Sequence, residues 1–334
     1  MGTVRVVLTT LAALALVVGA VLASPRRLGV AGMSMLPGLA PGDVVCVGWR
    51  EWLASFAPPR RHARWLVRAP DGALAVKRIA ALPGERAAIV DGDLAIDGLR
   101  VLTPPPVLAE LASPVVADRV ARGTDTLELS AAGPVYDDCP QADGVRRWLW
   151  PVHDGGAWGV IEGADGAAAW WIAIELAGRR VTWRLRHAGA VALVGGRLDG
   201  RFVAVAWPVA EQWGRPADGC PAWPDGIPAA WSVDEPWHDR AGSGAFVATI
   251  ATGPAPARIA AGGLWRDILH RPPASGRTDW SVGAGRVWLL GDFPAGSRDG
   301  RTWGPLETSR LVAPVTRETA EPRGREAATP ASPE

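Results

Sequence analysis

The stretch Ala75-Val76-Lys77-Arg78-Ile79-Ala80-Ala81-Leu82-Pro83-Gly84-Glu85 sets one lysine inside an apolar run. Ala75, Val76, Ile79 and Leu82 around Lys77, with Pro83-Gly84 behind them, predict a short buried strand ended by a turn. Lys77 is the single lysine among 35 basic residues; the rest are arginines, and the chain has no asparagine. Arginine does most of what a surface lysine does. It does not lose its proton near neutral pH, whereas lysine can. Burial lowers a lysine pKa because the charged form loses its hydration. A fall of about three units, roughly 4 kcal/mol, would make Lys77 a base near pH 7. A neutral amine could then take the proton of a serine hydroxyl and activate it for acyl transfer, the Ser-Lys variant of triad chemistry.

Directly after this run, residues 87–103 (AAIVDGDLAIDGLRVLT) alternate around Asp91-Gly92 and Asp97-Gly98, which predicts short hairpins. Residues 104–110 (PPPVLAE) mark a boundary. Beyond it, Ile172, Ile174 and Leu176 alternate with Ala173 and Glu175, and Val181, Trp183 and Leu185 alternate with Thr182, Arg184 and Arg186. Residues 189–207 repeat the strand-turn-strand theme, a β-meander pattern. Trp170, Trp171, Trp183 and Trp207 read as core of this region, with a carbohydrate or peptide platform as the sharper alternative. Residues 208–240, rich in Pro, Gly and Trp, read as long loops, and the polar segment from Thr316 reads as a disordered tail.

The chain has 334 residues, 48% hydrophobic and 21% charged, which excludes wholesale disorder. Its formal net charge of +1 argues against a nucleic-acid partner. Forty glycines and 30 prolines favour β structure over long helices. Val6 to Ala23 carries no charge and at about 1.5 Å per residue is just long enough to cross a bilayer. It reads as an uncleaved anchor or as a cleavable signal peptide ending at Val21-Leu22-Ala23. Residues 49–66 combine Trp49, Trp52, Phe56 and Trp65 with Arg50, Arg60, Arg61 and Arg64, suited either to lipid headgroups or to a core strand with a solvated basic loop. Of Cys46, Cys139 and Cys220, the last two sit in turn-like contexts and could pair. No CxxC or HExxH motif suggests zinc.

Two further stretches complete the pattern. One runs Gly32-Met33-Ser34-Met35-Leu36-Pro37-Gly38-Leu39 and continues Pro41-Gly42-Asp43. The other runs Gly291-Asp292-Phe293-Pro294-Ala295-Gly296-Ser297-Arg298-Asp299-Gly300-Arg301-Thr302-Trp303-Gly304. Together with Lys77-Arg78 and Pro83-Gly84-Glu85, these resemble the conserved boxes of the type I signal peptidases, the Ser-Lys leader peptidases of bacteria. The likeness covers roughly residues 6–105 and 280–315. Departures from the family pattern are Gly38 for Thr, Ala81 for Gly, Glu85 for Asp, Phe293 for Asn and Gly300 for Ser.

The resemblance implies a membrane-anchored serine endopeptidase that removes signal peptides from exported preproteins, with small residues at substrate positions −1 and −3. Ser34 is implied as nucleophile and as a backbone oxyanion donor, and Lys77 as general base. Ser297 matches the serine that orients the lysine amine. Asp299 and Arg301 match a structural ion pair, and Asp43 and Arg78 match positions of structural rather than chemical weight. Gly32, Met35, Pro37, Gly291 and Asp292 complete the matched positions. Gly32 leaves no side-chain hydroxyl two residues before the nucleophile. No metal or cofactor is implied. The implied partners are preprotein signal peptides and membrane lipid, at a bacterial inner membrane, single-pass, with the catalytic part on the extracytoplasmic side. The alternatives are a processing peptidase with a narrow substrate, or a degenerate exported β-domain scaffold.

The expected fold is mainly β: an antiparallel signal-peptidase-like core with one N-terminal transmembrane helix and a large β-rich insertion. Its expected segments are an anchor (1–27), a first core part (28–105), the insertion (106–280), a second core part (281–315) and the tail (316–334).

Overall fold

A computed structural model describes residues 26–47, 55–115, 117, 119–123, 126–131, 135–137, 149–151, 154–162, 167–176, 179–199, 201–209, 227–231, 233–236, 246–252 and 258–317. The Val6–Ala23 segment, Trp49, Trp52, Cys139, Cys220 and residues 318–334 lie outside them. Among the described residues no helix is long and apolar enough to cross a membrane.

The structure is mainly β and its paired strands are antiparallel. In the first part of the chain the strands are β1 (Arg26–Gly29), β2 (Val44–Val47), β3 (Arg64–Arg68), β4 (Leu74–Ala81), β5 (Arg86–Val90), β6 (Asp93–Ile96) and β7 (Leu99–Arg100). A short helix, α1 (Pro105–Leu111), follows; Pro104 precedes it and prolines open its first turn, where no backbone N–H bond is lost. β4 is the buried strand expected from Ala75–Glu85, and it ends where Leu82-Pro83-Gly84 turns, with φ +91° at Gly84. The two hairpins form as expected. Asp91 and Gly92 (φ +57° and +98°) join β5 to β6, and Asp97 and Gly98 (φ +51° and +84°) join β6 to β7. Positive φ at both central residues matches the twist of the flanking strands.

Late segments of the chain complete these sheets. Arg286–Leu290 pairs with β4, and Leu311–Pro314 pairs with β3. Asp279–Ser281 pairs with β5, and Trp280 stacks on Trp288 at 4.6 Å between ring centroids, a contact worth about 0.5–1.5 kcal/mol beyond its area. Thr316–Arg317 pairs with β2, so sheet pairing runs past residue 315 into the segment read as tail.

Between these parts lies a sandwich. Its six-stranded sheet runs in the order Val233–Pro236, Arg201–Pro208, Val191–Leu198, Gly155–Glu162, Arg258–Arg266, Ser113–Val115. Its five-stranded sheet runs Arg179–Ala188, Ala167–Leu176, Phe246–Thr252, Thr126–Ala131, Arg119–Arg122. The meander is present as the hairpin pairs 167–176 with 179–188 and 191–198 with 201–208. Residues 208–240 also hold a strand, Val233–Pro236, where loops were expected.

Side-chain period two divides the six-stranded sheet. Val191, Leu193, Phe202 and Leu264 face Leu127, Ile172 and Ile250 of the other sheet. Val194, Val203, Trp207 and Trp265 face away, onto Leu108 of α1. Both faces are covered, which is why Val191–Leu198 is buried along its whole length. Trp183 and Trp207 are buried in this core, whereas Trp171 is half-buried, with the Arg184 guanidinium 5.6 Å from its ring.

Candidate active site

Alternation along β4 sends Lys77 to the face of Ala75 and Ile79 and sends Arg78 to the opposite face. In register Lys77 stands opposite Trp65 of β3. Its side chain is 2% exposed; Nζ lies 3.0 Å from Ser297 Oγ and 6.0 Å from the centre of the Trp303 ring. Burial lowers its pKa to about 8, against the carboxylates of Asp299 and Asp292, which raise it, and with Arg301, which lowers it further.

Ser34 sits in a turn-rich segment before β2. Leu36 N–H donates to Met33 O (3.0 Å) and Leu39 N–H to Met35 O (2.8 Å). Met35 and Leu39 are buried with Val45 and Leu66, which anchors the turn to the core. Asp43 Oδ2 accepts from Ala40 N–H at 2.8 Å and closes its end. The Ser34 carbonyl accepts from Phe293 N–H at 3.1 Å. Gly291 explains the closeness of the first and third boxes: a Cβ there would overlap Ser297 Oγ and lie 2.5 Å from Ser34 O. Ser34, Gly291, Ser297 and Lys77 thus form one contiguous group. Ser34 is half-buried. Gly32 and Pro37 are exposed, and a Cβ on Gly32 would meet nothing within 4 Å.

The third box is folded around Asp299, which is wholly buried. Its carboxylate caps the short helix Gly300–Trp303 by accepting from Arg301 N–H (3.1 Å). It also accepts from Gly291 N–H (2.9 Å) and from the Arg301 guanidinium (2.9 and 2.8 Å). Burial alone would raise its carboxyl. The Arg301 contacts, the Gly291 N–H and the Ser297 hydroxyl outweigh that and hold it below the ordinary range. Arg301 also donates to Pro294 O at 2.7 Å, so the pair ties both ends of the loop that carries Ser297.

On the other face of the sheet, Arg64 and Arg78 are cross-strand neighbours. Like charges so placed repel, and two acids separate them. Arg78 grips Asp292 through both nitrogens of one edge (2.8 and 2.6 Å) and donates to His62 O (2.7 Å). Glu110 of α1 takes both arginines, at 2.9 Å from Arg64 and 3.0 Å from Arg78. Burial, helped by the charges of Arg78 and Arg61, lowers His62 to about 4.

This cluster corrects the headgroup reading for two residues of the 49–66 stretch. Trp65 is 3% exposed in the core, and Arg64 is tied to Glu110 and Asp292; Phe56, at 72% exposed, does face outward.

The departures from the family pattern have steric partners. A Cβ on Gly38 would overlap the Arg64 guanidinium, which fills the space of the absent side chain. A Cβ on Gly300 would stand 2.6 Å from both the indole nitrogen of Trp288 and Leu289 O. Phe293 is buried against Gly296. Glu85 accepts from Leu82 N–H (2.7 Å) and pairs with Arg61 (2.6 Å), closing the turn after β4. Ala81 is buried opposite Trp288.

Glu110, Trp288 and Trp303 carried no sequence signal as site residues. Glu110 belongs to α1, whose Leu108 packs on the sandwich, and only the fold brings it to β3 and β4.

The family model described as signal peptidase, peptidase S26, matches residues 2–130, which takes in Ser34 and Lys77 and ends before the third box. No curated protein matches the chain. Among solved structures, "The crystal structure of a functionally unknown protein from Saccharomyces cerevisiae" matches at 8% identity and a TM-score of 0.21, over 47% of this chain and 94% of its own.

Proposed function

We propose that this chain, which over residues 2–130 belongs to the signal peptidase, peptidase S26, family, is a membrane-anchored serine endopeptidase that removes signal peptides from exported preproteins. The observation that carries the proposal is the state of Lys77. The chain's single lysine is 2% exposed, is hydrogen-bonded to Ser297, and is lowered to about 8 beside the Ser34 turn. At that pKa about a tenth of Lys77 is neutral at pH 7, enough to serve as a base.

In this reading Ser34 Oγ attacks the scissile carbonyl while its proton passes to Lys77 Nζ. The Ser34 N–H supplies an oxyanion donor. Lys77 returns the proton to the leaving amine, and the acyl-enzyme is then hydrolysed by water, activated by Lys77 in turn. Ser297 holds the amine, and Asp299 holds Ser297. The uncharged Val6–Ala23 segment would keep Ser34 close to the membrane surface, where a signal peptide leaves the bilayer.

The test is cleavage of a preprotein with an A-x-A site by the full chain in detergent, with mass spectrometry of both products. Cleavage after the second Ala by wild type, and none by Ser34→Ala, supports the proposal. Undiminished cleavage by Ser34→Ala overturns it.

A further inference from the structure

A second chemical centre lies where the sandwich meets the core. Asp93 of β6, Asp154 before the strand Gly155–Glu162, and Asp199 after the strand Val191–Leu198 place carboxylate oxygens within 4.8 Å of one another. Two oxygens on opposite sides of a calcium ion are about 5 Å apart, twice a bond of roughly 2.3–2.6 Å. Asp154 and Asp199 are buried. The three are locked in place: Asp199 N–H donates to Asp154 Oδ2 (2.7 Å), Thr103 N–H to Asp199 Oδ2 (2.8 Å), and Arg100 pairs with Asp93 (2.9 Å).

A fourth acid makes this more than a cluster. Asp267, just past the strand Arg258–Arg266, is 6% exposed, and its Oδ1 is buried with no hydrogen-bond partner. It lines the same cavity as Asp93 and Asp199, a space of about 40 Å³, and a single water needs only about 10–15 Å³ on such a measure. Asp154 Oδ1 is likewise buried without a hydrogen bond, with Arg197 Nε 3.6 Å away. Arg100, Arg197 and Arg266 stand near these four acids, leaving an excess of negative charge. Buried charges are costly unless paired or bound to metal.

We propose that Asp93, Asp154, Asp199 and Asp267 form a calcium site that fastens the insertion to the catalytic core. Calcium suits such a site because it accepts six to eight oxygens in flexible geometry, from carboxylates, backbone carbonyls and water together. One ligand comes from the core hairpin and three from the sandwich. The ion would therefore replace repulsion across the junction by a shared bond. Arg78, Asp292 and Gly291 line the same cavity. The ion would thus steady the sheet that carries Lys77 from behind. The proposal is independent of the peptidase reading.

The test uses the full chain in detergent, stripped with a chelator and titrated with CaCl₂ by calorimetry, with thermal unfolding measured in parallel. One Ca²⁺ per chain with Kd below about 1 mM, and a Tm raised by several degrees at saturation, is the expected result. Asp267→Asn keeps the shape and removes the charge; it should weaken binding at least tenfold and abolish the calcium-dependent shift in Tm. Asp93→Asn, on the core side, should do the same and serves if the first variant does not fold. Absence of binding by wild type overturns the site, and so does wild-type affinity in the folded variants.

Discussion

Lys77 Nζ and Ser297 Oγ, 220 residues apart in sequence, meet at 3.0 Å. This contact joins β4 to the loop after Arg286–Leu290, and everything around it holds one or other partner still. Removing the hydroxyl with Ser297→Ala frees the lysine amine and also takes a hydrogen bond from Asp299. A hydrogen bond of this kind is worth about 1–1.5 kcal/mol, so kcat should fall about tenfold with KM little changed. Steady-state kinetics on a preprotein substrate checks this, and Ser297→Thr should recover part of the loss.

The space beside Gly38 is filled by Arg64. Gly38→Thr, which restores the family residue, should drive the guanidinium from Glu110 and lower stability by about 1–3 kcal/mol. Arg64→Met should make the same change at residue 38 cheaper by at least about 0.5 kcal/mol, the coupling expected of contacting residues. Chemical denaturation of the two single variants and the double variant measures it.

Glu110 is the acid that ties α1 to both arginines of the sheet. Its side chain is 43% exposed, so solvent screens the pair and the global cost of Glu110→Gln should stay within about 1 kcal/mol. The local effect should be larger: faster amide exchange in 105–111 and earlier proteolysis at the junction, with the sandwich core unchanged. Exchange measured by mass spectrometry separates the two.

Acid should loosen the underside of the sheet. His62 and His270 are held neutral by burial, both lowered to about 4. The unfolded chain takes up these protons near pH 6.5 and the folded chain only near 4. Their contribution is therefore fully present above pH 6.5 and is lost as pH falls through that window. Between pH 7 and pH 4 the Tm of wild type should therefore fall relative to that of the variant carrying His62→Gln with His270→Gln, measured side by side.

What could be read from the residues alone was local or motif-borne. The Asp-Gly hairpins, the strand around Lys77 and the meander strands follow from turn chemistry and from period two. The contiguity of Ser34, Lys77 and Ser297 came from the likeness of three boxes to a family. What stayed hidden was set by distant pairing. Val233–Pro236, embedded in a Pro- and Trp-rich stretch, is a strand because Arg201–Ala204 offers it an open edge. Arg64 reads as a solvated or headgroup-facing base until α1 brings Glu110 to it. The four aspartates carry no signal in the sequence, because their spacing matches no ligand motif and only the meeting of the β5–β6 hairpin with the sandwich brings them together.

The central claim is that Lys77 acts as the base that activates Ser34. The most direct measurement is kcat/KM against pH from 6 to 10 for wild type and Lys77→Arg on one preprotein substrate. The neutral amine is the working form, so wild-type activity should rise tenfold per pH unit and level off above about 8, where Lys77 titrates. Lys77→Arg keeps the charge, cannot become neutral, and should be inactive throughout. A wild-type profile that is flat between pH 6 and 9, or an active Lys77→Arg enzyme, would contradict the assignment.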